Sequence, residues 1–222
     1  MRTLYHQPLC AFARKVRVAL AEKQLEFALE TEPVWERREA FLALNPAGEV
    51  PVLVEEDGAT IADSNAICEY LDERYPEPPL IGADLAERAE TRRLTAWFDL
   101  KFHREVTRNL VDEKIHKRLT GLGQPDSAMI RAGYTNVSYH LEYVGYLIER
   151  RNWLAGHRFS LADIAAAAQL SCVDYLGDVP WEDHQPAKDW YARVKSRPSM
   201  RPLLADHVIG TPPPRHYADL DF

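Results

Sequence analysis

The turn Asn45, Pro46, Ala47, Gly48, Glu49, Val50, Pro51, followed by Asp63 and Ser64, has the residue types and spacing to grip a small zwitterionic peptide. Pro46 and Gly48 close a turn. Pro51, which lacks an N–H, can start the apolar run Val52, Leu53, Val54 but not occupy its middle. Val50 is driven extended by the proline after it, so its N–H and C=O are held at a strand edge, free to pair with an extended ligand. So sharp a turn predicts a cis Val50–Pro51 bond. Ser64 is expected to cap the amphipathic run Ala66, Ile67, Tyr70, Leu71, and a helix N-terminus attracts carboxylates through its free N–H groups. Asp63 beside it can take an ammonium.

A second group has covalent chemistry within reach. Cys10 lies in the loop Leu9, Cys10, Ala11, Phe12, Ala13, Arg14, at the start of an expected helix and within a turn of Arg14 and Lys15. That setting predicts a lowered thiol pKa, thiolate near neutrality and mixed-disulfide chemistry, while a small, buried, inert thiol fits the same position. Arg14, Lys15 and Arg17 read as a solvated helix face. Asp112 and His116 are one helical turn apart, too few ligands for a metal, and no metal is expected.

The elements that must position these groups read β, α, β, α, β, β, α over residues 2 to 75. Strands are expected at Arg2 to Tyr5, Phe27 to Leu29, Val52 to Glu55 and Thr60 to Ala62, with Glu56, Asp57, Gly58 turning a hairpin. Helices are expected at Phe12 to Lys23, Trp35 to Leu44 and Ser64 to Tyr75. Tyr75, Pro76, Glu77, Pro78, Pro79 then break the chain into a linker, placing a first domain at 1–76, a linker at 77–86, a helical domain at 87–205 and an extended tail at 206–222. Within the helical part, long runs are expected from Leu85 to Leu119 and from Ser127 to Arg151, and a shorter one from Ala187 to Ser196. Ser160, Leu161, Ala162, Asp163 forms an acidic capping box before an alanine-rich run.

Together these residues resemble the glutathione transferase superfamily over nearly the whole chain. The resemblance implies an α/β thioredoxin-like N-terminal domain followed by an all-α C-terminal domain, with glutathione as substrate or ligand. It implies that Val50 and Pro51 pair with the cysteinyl part of glutathione and that Asp63 with Ser64 holds the γ-glutamyl end, Asp63 being one methylene shorter than the usual Glu or Gln. Arg37 or Arg38 could meet the glycine carboxylate, although both also suit a plain surface. Serine-type members place a hydroxyl in the loop after the first strand, and this chain has no Ser before Ser64. Cys10 stands where omega-like members keep a nucleophilic cysteine, with Ala11 in place of their proline, and Tyr5 is the second candidate for stabilising the thiolate. The resemblance also implies a homodimer joining the first domain of one subunit to the long helices of the other.

The stretches Lys101 to Val106 and Glu113 to Ile115, and the tail Pro212, Pro213, Pro214, Arg215, His216, Tyr217 through Asp221 and Phe222, are similar to an alphaproteobacterial branch of the superfamily that binds the division polymer FtsZ without catalysis. Three prolines before an aromatic, acidic terminus cannot extend a helix, and read either as a peptide offered to a partner or as a strap packed over the second domain. A net charge of −7, with basic residues interspersed among acids, argues against nucleic acid as the main partner. No stretch approaches the length of a membrane span and the N-terminus lacks a signal-like apolar core, so a cytoplasmic protein is expected. Three well-separated cysteines predict reduced thiols.

Overall fold

A computed structural model describes residues 1–220. Asp221 and Phe222, the last residues of the expected tail, lie outside them. Strand β1 (Thr3–His6) pairs in parallel with β2 (Ala28–Thr31) and antiparallel with β3 (Val52–Val54), and β4 (Thr60–Ala62) closes the edge, giving the order β2-β1-β3-β4. The β3–β4 turn ends on Gly58, whose φ of +87° only glycine adopts freely. Helices α1 (Ala11–Glu22) and α3 (Ser64–Arg74) pack against the sheet, with Leu4, Val16, Leu20, Leu53, Ile67 and Leu71 fully buried in one core. This is the thioredoxin-like half.

The expected helix from Trp35 to Leu44 is two elements: a single 3-10 turn, Val34–Glu36, and α2, Glu39–Leu44. Arg37 separates them because its backbone is left-handed, with φ of 47°. The linker after α3 is pinned rather than loose. Lys23 at the end of α1 donates from Nζ to Asp72 at 2.8 Å and to the carbonyls of Tyr75 and Pro78 at 2.6 and 3.0 Å. Asp72 in turn accepts from the Leu80 amide at 2.8 Å.

The second half is helical. A rod begins with α4 (Leu85–Ala96), continues through a wider-wound segment, Trp97–His116, and ends with α5 (Lys117–Thr120). Its buried stripe of Leu94, Phe98, Phe102, Val106 and Leu110 meets Val137, Leu141 and Val144 on α6 (Ser127–Ile148). Gly133 lets the two helices approach, since a Cβ there would lie 2.7 Å from Leu110 Cγ. Helix α7 (Leu161–Asp174) runs through the centre with every residue buried, which its alanines at 165–168 permit. Its capping box forms as expected, and Asp163 also accepts from Leu154 N and Trp190 Nε1, both at 2.9 Å. α8 (Gln185–Lys195) and α9 (Arg201–Leu204) complete the domain. Among the described residues no helix is long and apolar enough to cross a membrane.

One expectation fails here. Arg14, Lys15 and Arg17 are not a solvated face: the helical domain covers that side of α1 and leaves them 0%, 0% and 4% exposed. Each is neutralised across the domain boundary, Lys15 by Asp99 and both arginines by Asp206. Of the two readings of the tail, its described residues take the second. It packs back as a strap, with Tyr217 fully buried beside Tyr175 at a centroid distance of 5.2 Å.

Candidate functional site

The turn before β3 is built by Asn45, whose Oδ1 accepts from Ala47 N at 3.2 Å and whose Nδ2 donates to the Glu49 carbonyl at 2.8 Å. Gly48, at φ of +72°, completes it with Leu42 and the Arg37 guanidinium packed close by. The Val50–Pro51 bond is cis, as the sharpness of the turn predicts. These residues face the start of α3 across a cavity of about 420 Å³, lined by Val50, Pro51, Asp63 and Ser64 together with Phe12 and Asn65. The four residues chosen for peptide binding are therefore brought together.

The cap is corrected. Asp63, not Ser64, caps α3: held at φ of 74°, it accepts at Oδ1 from Asn65 N at 2.8 Å and Ala66 N at 3.0 Å. Ser64 is the first helical residue, nearly buried on the cavity wall. An Asx side chain two and three residues ahead of two amides out-competes a hydroxyl one residue later. Part of the positive end of α3 is thus already matched by a carboxylate.

The floor of the cavity was not foreseen. Asp99, 3% exposed, lines it from the long rod and is paired with Lys15. Lys15 also donates to Asn65 Oδ1 at 2.8 Å. A buried lysine thus ties the first turn of α3 to the helical domain underneath the cavity. Spacing alone gave no signal of this contact, because Lys15 and Asp99 are distant in sequence.

Cys10 sits at the N-terminus of α1, with Sγ 3.8 Å from the Val50 carbonyl, and retains partial exposure as a residue. The expected lowering of its pKa does not occur. Burial pushes the thiol up to about 12, outweighing the opposite pull of the Ala13 and Phe12 amides and of Arg14. Arg14 is near, but its charge is spent on Asp206. Tyr5 is half-buried in β1 against Phe41, with centroids 5.6 Å apart; neither it nor Cys10 is among the cavity-lining residues. Nor are Arg37 and Arg38; Arg38 pairs with the buried Glu32.

A second cleft, about 610 Å³, opens between the domains farther along the rod. Gln7 and Trp35 line it on one side and Arg104, Arg108 and Asp112 on the other. Phe12 packed at a tilt against His103, with centroids 4.7 Å apart, lies between the two hollows, since the rod contributes residues 99 and 100 to the first and 104 and 108 to the second. A small peptide and a second molecule can therefore be held side by side.

Comparison with known proteins bears on this geometry. Residues 4–79 match the glutathione S-transferase N-terminal domain and residues 135–198 the C-terminal domain. A crystal structure of a glutathione S-transferase from Rhodospirillum rubrum F11 superposes with a TM-score of 0.98 at 63% identity, covering 100% of both chains. FtsZ-localized protein A of Caulobacter vibrioides is 51% identical over 100% of this chain and 98% of its own. The structure of FzlA from C. crescentus superposes with a TM-score of 0.96, covering 100% of this chain and 99% of that one. Both family domains match in order along the chain, the relatives align over its whole length, and the chain belongs to the glutathione S-transferase family.

Proposed function

We propose that the protein binds glutathione in the cavity between the Val50–Pro51 turn and the start of α3, and acts on its sulfur. The observation that carries this reading is the convergence of Val50, Pro51, Asp63 and Ser64 on one cavity of peptide size. Val50 supplies the strand edge, Ser64 the helix end and Asp63 the carboxylate for an ammonium. Cys10 then works as a protonated S–H donor to the bound sulfur rather than as a ready thiolate, because burial holds its proton. Its present acceptor, the Val50 carbonyl at 3.8 Å, is a weak partner that a charged sulfur would displace. Mixed-disulfide exchange through Cys10 remains chemically open but slow. The second cleft, with Trp35 beside Arg104 and Arg108, takes the second substrate.

Calorimetric titration of the reduced protein with glutathione, with intact mass recorded after exposure to oxidised glutathione, tests this. Binding that weakens in Ser64→Ala is the expected result; no heat and no adduct refute it. Cys10→Ser, which keeps a donor, should retain conjugation that Cys10→Ala lowers about tenfold, the loss of one modest hydrogen bond.

A second reading is favoured by the match to FtsZ-localized protein A along the entire chain. In it the protein is a non-catalytic division factor that binds FtsZ filaments in the cytoplasm, as a homodimer. Co-sedimentation with FtsZ polymer decides it. Deleting residues 211–222 is a poor test of tail binding, because the deletion removes buried Tyr217 and unsettles the fold.

A further inference from the structure

The loop Pro8–Leu9–Cys10, which sets Cys10 against the carbonyl of the cavity-lining Val50, is held by groups that answer to residues 206–217. Arg14, 0% exposed, donates from Nε to the Pro8 carbonyl at 2.6 Å. The next carbonyl, of Leu9, accepts from Cys172 Sγ at 3.3 Å. The rest of the Arg14 guanidinium is fixed by Ser171 Oγ at 2.9 Å, by Tyr217 OH at 3.0 Å and by Asp206 Oδ2 at 3.1 Å. Two of those three partners belong to the strap. The Tyr217 hydroxyl in turn donates a hydrogen bond to the Leu203 carbonyl at 3.1 Å, and its ring shares a buried cluster with Leu9, Ala11 and Cys172. The strap is fastened again by Tyr175, which donates to the Thr211 carbonyl at 2.7 Å and accepts from Val208 N at 2.8 Å.

We propose that the strap, residues 206–217, positions the peptide site, with Arg14 as the positioning residue that couples them. This rests on the reading of the cavity as a glutathione site. A guanidinium presents its donors in one rigid plane, so the groups on one edge set where the other edge points. A buried cation without its carboxylate is too costly to stay. Lifting the strap removes both Asp206 and Tyr217, Arg14 turns toward solvent, and the Pro8 carbonyl loses its donor. The loop bearing Cys10 and the preceding end of β1 then loosen beside the Val50 turn. By linkage, a ligand that needs the loop ordered tightens the strap, and a partner that pulls the strap away weakens the ligand.

The test uses full-length protein and two readouts. Tyr217→Phe removes one hydroxyl and keeps the ring; Asp206→Asn removes the shared carboxylate; Ile209→Ala, at a strap position 93% exposed, is the control. Hydrogen exchange of the amides of residues 9–13 is measured alongside glutathione affinity. In Tyr217→Phe and Asp206→Asn the loop amides should exchange about tenfold faster and affinity should fall about fivefold, within the usual range of coupling between sites. Exchange in β3 and β4 should stay as in the wild type, and the control should change neither readout. Unaltered loop exchange in both variants overturns the proposal, as does acceleration spread evenly over the two domains. If the wild type takes up no glutathione, the function proposed for the cavity falls, while loop exchange still decides whether the strap orders it.

Discussion

A thiol whose pKa has moved from 9.0 up to about 12 can be found by its sluggishness. At neutral pH Cys10 should carry about 1,000-fold less thiolate than an ordinary cysteine, each pKa unit being a factor of ten. The more basic sulfur is intrinsically about 20-fold more nucleophilic, from a Brønsted slope of roughly 0.45 over those three units. The native thiol should therefore alkylate about 50-fold more slowly than the same cysteine in unfolded chain. Iodoacetamide labelling followed by peptide mass measures each cysteine separately, with the urea-unfolded protein as internal reference. The native rate for Cys10 should climb about tenfold per pH unit to beyond pH 10, as expected for a thiol still mostly protonated there. A rate that levels off below pH 8, or a native rate at or above the unfolded one, would show a thiolate near neutrality and refute the donor role.

Stability should respond at three other places. Gly133→Ala puts a methyl 2.7–2.8 Å from the Leu110 side chain, and should cost about 1–3 kcal/mol by forcing α6 off the rod, despite alanine's better helix propensity; an unchanged melting temperature would sink that packing argument. Asp163→Ala strands the Leu154 amide and the Trp190 indole, each bonded at 2.9 Å, and should lose about 3–5 kcal/mol in denaturant titration, a loss below about 1 kcal/mol being incompatible with their burial. His6 has its pKa lowered to about 4, by burial first and by Arg17 second, so it stays neutral when folded and protonates when unfolded from pH 6.5 downward. Its contribution is present above pH 6.5 and lost as pH falls toward 4, at most about 3 kcal/mol, and His6→Gln should flatten that part of the stability profile; a profile as steep as the wild type's would count against it.

The backbone devices were the legible part of this chain. Pro51, Gly48 and the Ser160–Asp163 box work through rules that span four residues or fewer, so their types announce their conformations. The succession of strands and helices in the first half and the helical second half followed from apolar periodicity. What stayed hidden depends on which helix covers which face. Arg14, Lys15 and Arg17 have the composition of a wet surface, and only Asp99 and Asp206, brought in from the other domain, make their burial tolerable. The two readings of Cys10, a thiolate or a buried inert thiol, stayed open for the same reason, since the nearby cations are visible in the sequence and the extent of burial is not. Asp63 and Ser64 were exchanged as cap because both are good capping types and only the φ of 74° at Asp63 selects between them.

The dependence of α1 on residues near the end of the chain has a consequence for synthesis. The sheet and α1 leave the ribosome well before Asp206 and Tyr217, the partners of Arg14 and Arg17, which follow the whole of α2 to α9. At about 5–20 residues per second, that interval is on the order of 10–40 s. Throughout it the leading domain exposes Leu9, Ala11 and the unpaired cations Arg14 and Arg17, a surface apt to recruit chaperones and unfit for an isolated domain. The first half of this protein is thus finished only when the second half is, and fragments ending at the linker should not be expected to fold.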